Sequence, residues 1–90
     1  MVDFEDAALE VISAIPLGAT MSYGEVAADA GFPMAARAVG RLVRLTDRPI
    51  PWWRVTGAGG RIIHPEPATQ TQRLINEGIT VKNGRVQTPD

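Results

Sequence analysis

The residues of this chain best suited to chemistry are arginines. Arg37, Arg41, Arg44 and Arg48 recur at intervals of four, three and four, which at helical periodicity keeps them within about 60° of one another. Guanidinium groups are planar forks that match phosphate oxygens and base edges. The second feature is Pro51-Trp52-Trp53-Arg54, two adjacent indoles in a chain with only five aromatic side chains. Each indole buries a large area and carries an N–H that needs a partner. Neighbouring side chains rarely share one environment, so at least one ring is expected to face a groove. There is no cysteine and a single histidine, His64. The chain therefore offers no disulfide framework, no Cys nucleophile and no thiolate metal site, and little from which to build a His-based catalytic centre. No cofactor or metal is expected.

Charge is polarised along the chain. Residues 1–30 carry six acids and no base, residues 31–64 carry six arginines against Asp47, and residues 65–90 balance three against three. The net charge of −1 thus conceals a basic middle third, and distribution outweighs the sum when a nucleic-acid partner is considered. The bland alternative is a solvated charged face paired with the acidic N-terminal third. The N-terminus lacks the layout of a signal peptide and the apolar runs are far too short to span a membrane. A single cytoplasmic domain, residues 1–90, is expected.

The elements that must hold these residues can be placed from local signals. Asp3 caps a first helix from Phe4 to about Ala14, ended by Pro16 and Gly18. Phe4, Ala8, Val11, Ile12 and Ile15 form its core face. Ser22-Tyr23-Gly24-Glu25 fits a capping box opening a short helix to about Ala30. After the break Gly31-Phe32-Pro33, a third helix is predicted from about Met34 to Leu45. Its arginines lie opposite Ala35, Ala38, Val39, Leu42, Val43 and Leu45. This pair reads as a helix-turn-helix. Arg54-Val55-Thr56 and Arg61-Ile62-Ile63 are expected to form a hairpin, the wing, around Gly57–Gly60. A last helix runs from about Ala68 to Glu77, with Gly78 as C-terminal cap. Ile79–Val81 and Arg85–Gln87 flank Lys82-Asn83-Gly84, where Asn-Gly suits a type I′ turn.

Four pieces now stand in order: Ile15-Pro16-Leu17-Gly18, Ser22-Tyr23-Gly24-Glu25-Val26-Ala27, Ala35-Ala36-Arg37-Ala38-Val39-Gly40 and Pro51-Trp52-Trp53-Arg54-Val55. Together they resemble the DNA-binding domain of the O6-alkylguanine-DNA alkyltransferases over roughly residues 4–78. The resemblance implies a mainly α fold with small β elements, a winged helix-turn-helix DNA-binding domain of the alkyltransferase type. In the enzymes the last piece reads Pro-Cys-His-Arg. Its Cys accepts the alkyl group, its His is the base, and a distal Glu, matched here by Glu77, orients the His. Trp52 and Trp53 stand at the Cys and His positions. Replacement of the Cys by Trp resembles the alkyltransferase-like proteins, which bind O6-alkylguanine in duplex DNA without repairing it, flip it into the old active-site pocket and hand it to nucleotide excision repair. Many of these keep the His; this chain does not. Alkyl transfer from a guanine O6 requires an activated thiolate, so a suicide alkyltransferase is excluded.

The resemblance also implies roles. Arg37 becomes the finger inserted where the nucleotide leaves the stack, and Tyr23 presses on the adjacent phosphate. Arg41 and Arg44 are expected to bind DNA from their place in the arginine stripe itself. Trp52 is expected to wall the lesion pocket with Tyr23, and Arg61 or His64 to substitute for a pocket arginine found in some relatives. Trp53 is expected to point inward toward Glu77, and Arg54 to hold the turn. The expected partners are double-stranded DNA containing O6-alkylguanine and nucleotide excision repair proteins, bound by a monomer with no membrane contact. Two other readings use the same scaffold: a winged helix-turn-helix regulator of undamaged DNA, and a protein-interaction domain with the aromatic corner as its hot spot.

Overall fold

The computed structural model describes residues 3–87. Helix α1 (Phe4–Ser13) begins where the Asp3 side chain accepts the Glu5 backbone N–H at 3.2 Å, and it buries Ala7, Ala8, Leu9 and Ile12. Strand β1 (Met21–Ser22) leads directly into α2 (Tyr23–Asp29). The capping box is complete: Glu25 N–H donates to Ser22 Oγ at 3.1 Å and Ser22 N–H donates to Glu25 Oε1 at 2.8 Å. Two orphan donors are satisfied at once, which fixes the start of α2 and hence the place of Tyr23.

Helix α3 (Ala36–Leu45) packs on α2 through Val39 and Val43, which join Val26, Ala27, Ile12, Ile15 and Val55 in one core. It starts two residues later than expected. Met34 sits in the preceding turn, 97% exposed, and Ala35 N–H donates to Phe32 O at 2.9 Å. Ala38 and Leu45, expected on the core face, are exposed. At 100° per residue they lie about 100–120° round the helix from Val39, so α3 carries a flank between its core face and its arginine face.

The expected wing does not form. Strand β2 (Val55–Thr56) pairs in parallel with β1, Met21 with Val55 and Ser22 with Thr56. Arg54 belongs instead to a 3-10 turn, Trp52–Arg54, and Ala58–Gly60 make a second one. Gly57 N–H does donate to Arg61 O at 2.8 Å, but no ladder with Val55–Thr56 extends from it, because that strand is paired with β1 and Arg61 and Ile62 turn to the C-terminal hairpin. Ile62 N–H donates to Gly84 O at 2.8 Å and Arg61 bridges Arg85. Gly60, at φ 82°, makes this approach possible, because a Cβ there would lie 3.0 Å from Val86 O.

Helix α4 (Pro67–Asn76) has proline in its first turn. It ends as expected at Gly78, whose φ of 86° lets its N–H reach Ile75 O at 2.9 Å. The hairpin β3 (Val81–Lys82) and β4 (Arg85–Val86) follows around Asn83 and Gly84, both at positive φ, as a type I′ turn requires. Among the described residues no helix is long and apolar enough to cross a membrane.

Candidate nucleic-acid interface

Arg37, Arg41 and Arg44 are all exposed on α3. Among the described residues the salt bridges are Arg48–Asp6, at 3.8 Å with both side chains well exposed, and Arg54–Glu77. The three helix arginines have no carboxylate partner there, so the acidic N-terminal third does not neutralise them. Arg48 lies beyond the helix and is the one arginine of the series that does pair. An exposed pair of this kind contributes about 0–1 kcal/mol.

A cleft of about 380 Å³ runs along α3, lined by Tyr23, Ala36, Arg37, Gly40, Arg41, Arg44 and Ile63. The structure therefore brings together the four residues expected to contact DNA and adds three to which the sequence assigned no such role, Ala36, Gly40 and Ile63. The Tyr23 ring is half-buried beside Gly40. Burial pushes its phenol above the ordinary value, while the nearby Arg44 charge works in the other direction. With a raised pKa the hydroxyl stays protonated at neutral pH and can donate to an anion.

Glycine within a helix is a visible signal, since it costs roughly 0.5–1 kcal/mol relative to alanine. A Cβ at Gly40 would meet the Tyr23 ring at 3.7 Å, an ordinary contact. Gly40→Ala is therefore expected to raise Tm by roughly 2–8 °C while narrowing the cleft. A thermal melt that shows a lower Tm would mean that the tyrosine cannot accept the methyl group.

The turn Trp52–Arg54 is fixed from beneath. Arg54 Nε donates to Glu77 Oε1 at 2.9 Å, its Nη2 donates to Glu77 Oε2 at 2.8 Å, and its Nη1 donates to Ile15 O at 2.8 Å. Trp53 Nε1 donates to Glu77 Oε2 at 2.7 Å, and Gly18 N–H reaches Oε1 at 3.3 Å. The Arg54 and Glu77 side chains are only 14% and 10% exposed. The Arg54 hydrogen bonds, opposed by burial and helped by Trp53 and Gly18, hold the Glu77 carboxyl down at about 2. Trp53 thus points inward, with the Arg73 guanidinium 4.6 Å from its ring centroid. Gln70, 1% exposed, donates through Nε2 to Trp53 O at 3.0 Å and Val55 O at 2.9 Å, tying the turn to β2. Its signal in the sequence was a polar residue four positions before Leu74, on the buried side of α4.

Trp52 leans on the core and meets Trp53 edge-on, ring centroids 6.0 Å apart at 87°. His64 stacks on it, centroids 4.3 Å apart and planes 27° from parallel. His64 Nδ1 accepts the Glu66 backbone N–H at 3.0 Å, which leaves the proton of the neutral ring on Nε2. Burial lowers its pKa; Glu66 opposes the shift and Arg44 reinforces it. Of the residues expected to form the lesion pocket, Trp52 and His64 are therefore in contact. Tyr23 lies across Ile63 in the α3 cleft, and Arg61 is exposed on the loop that bridges Arg85.

A helix-turn-helix whose second helix presents arginines with no carboxylate partner among the described residues defines a domain of the DNA-binding helix-turn-helix class. The profile of the 6-O-methylguanine DNA methyltransferase DNA binding domain matches residues 3–79. The chain belongs to that family. It is 40% identical over 76 residues to the DNA base-flipping protein of Escherichia coli, covering 80% of this chain and 59% of that one. It is 42% identical over 65 residues to the methylated-DNA–protein-cysteine methyltransferase of Mycobacterium leprae, covering 68% and 38%. The chain thus spans less than two thirds of the length of these relatives. Its fold matches the crystal structure of S. pombe Atl1 in complex with damaged DNA containing O6-carboxymethylguanine, with a TM-score of 0.85 and 28% identity over 99% of this chain and 91% of that one.

Proposed function

We propose that this chain binds O6-alkylguanine in duplex DNA without repairing it and leaves the lesion exposed for nucleotide excision repair. The observation that carries this reading is the turn Trp52–Arg54. Its framework, the Arg54–Glu77 pair under a 3-10 turn, is intact, while two indoles stand where the resemblance puts a nucleophile and its base. With no cysteine anywhere in the chain there is no thiolate to take up an alkyl group. Similarity to a DNA base-flipping protein and to Atl1 bound to damaged DNA supports recognition by extrusion of the nucleotide. In this reading Arg41 and Arg44 neutralise phosphates, Tyr23 donates to the phosphate beside the lesion, and Arg37 fills the vacated stack. The extruded purine lies against Trp52, with Arg61 and His64 at the pocket's edge. The chain acts as a monomer in the cytoplasm.

The test is a pair of titrations against the same duplex with and without one O6-methylguanine, at several salt concentrations. The expected result is at least about tenfold tighter binding to the modified duplex, or 1.4 kcal/mol, with no alkyl group retained by the protein afterwards. Equal affinities would reject recognition, and a stably alkylated protein would reject the non-enzymatic part.

A further inference from the structure

The base proposed to stack on Trp52 would find that place taken. The His64 ring already lies on the indole, 4.3 Å away and nearly parallel. Ile63, the residue next to His64, lines the arginine cleft, and the charge of Arg44 reaches His64 as it does Tyr23. We propose that His64 is a place-holding residue of the binding site, which occupies the stacking position of the extruded base and must be displaced before a base can enter. This rests on the damage-recognition reading above and gives His64 a role opposite in sign to that of a pocket wall.

The arrangement suits a ring that holds the place and then gives it up. Imidazole is smaller than a purine, so a base that reaches Trp52 replaces a weaker stack with a stronger one. Among the described residues the His64 side chain makes one hydrogen bond, accepting from Glu66 N–H at Nδ1. The loop that carries it is anchored on both sides, by Ile62 N–H on Gly84 O and by the start of α4 at Pro67. Displacement is therefore a local movement between two fixed points. Extrusion is easiest for a damaged, poorly paired base. Any extruded base, damaged or not, has to meet the cost of displacing His64 on top of its unpairing cost, whereas a duplex bound without extrusion never engages His64.

The experiment compares the wild-type protein with His64→Ala and His64→Phe on duplexes with and without one O6-methylguanine, with thermal melts confirming the fold. His64→Ala is expected to bind the modified duplex about three- to tenfold tighter and the unmodified duplex unchanged. His64→Phe, with a larger stack, is expected to bind the modified duplex several-fold weaker and the unmodified duplex unchanged. If the wild type discriminates but His64→Ala binds the modified duplex as well or more weakly, His64 is not the place-holder, and damage recognition stands. If the wild type binds both duplexes equally, damage recognition falls and the place-holder with it. Should His64→Ala fail to fold, His64→Phe decides, and its binding the modified duplex like wild type overturns the proposal.

Discussion

Replacing Glu77 by glutamine is expected to destabilise the protein by about 3–5 kcal/mol at pH 7, the range found when one partner of a buried ion pair is removed. The change keeps the size of the side chain and removes only its charge. Arg54 is then left largely buried with no counter-ion, because its remaining acceptors, the glutamine carbonyl and Ile15 O, are both neutral. The pKa gives an independent figure of similar size. The carboxyl falls from its ordinary 4.5 to about 2 on folding, which corresponds to roughly 3 kcal/mol. A depressed carboxylate stabilises the fold fully above the unfolded value and loses that contribution as pH falls through the folded one. The stability difference between wild type and Glu77→Gln should therefore be constant above about pH 5 and shrink between pH 4.5 and about 2. Denaturant melts of both proteins at pH 7 and pH 3 check this. Equal stability at pH 7 would mean that the pair under the turn does not set the fold.

The second large effect concerns binding. Arg37→Ala is expected to weaken binding to a duplex with one O6-alkylguanine by about 10–100-fold, since extrusion costs a few kcal/mol and the hole must be filled. Tm should stay within a few degrees of wild type, because Arg37 is exposed and has no carboxylate partner among the described residues. Arg41→Ala and Arg44→Ala are the controls. Each should weaken binding to modified and unmodified duplexes alike and reduce the slope of log K against log salt by about one. If Arg37→Ala behaves like them, with equal loss on both duplexes, Arg37 contacts phosphate and fills no gap in the stack.

How much of this was legible in the sequence follows the range of the interactions. Ser22 and Glu25 are three residues apart and cap the same turn, so α2 could be placed from the sequence. Asn83-Gly84 demands positive φ at both positions, and that hairpin formed as expected. Arg61–Ile63 failed because strand preference does not name a partner. Its ladder contacts lie at Gly84 and Arg85, and Val55–Thr56 went to β1. The candidate site divides in the same way. The arginine face of α3 follows from periodicity alone, while the contact between Trp52 and His64 depends on where a twelve-residue excursion returns. Gln70 could be seen as a misplaced polar residue, but the two carbonyls it serves could not.

The two rungs between β1 and β2 have a mechanical consequence. Met21 and Ser22 lie beside Val55 and Thr56, so the pair of residues just before Tyr23 is clamped to the pair just after Arg54. Tyr23 stands at the cleft and Trp52 at the turn, and the clamp makes the two ends of a single stiff crank. In the proposed complex, a pull on the tyrosine from a phosphate would be transmitted to the tryptophan's turn through four residues, without passing through the Gly57–Gly60 loop.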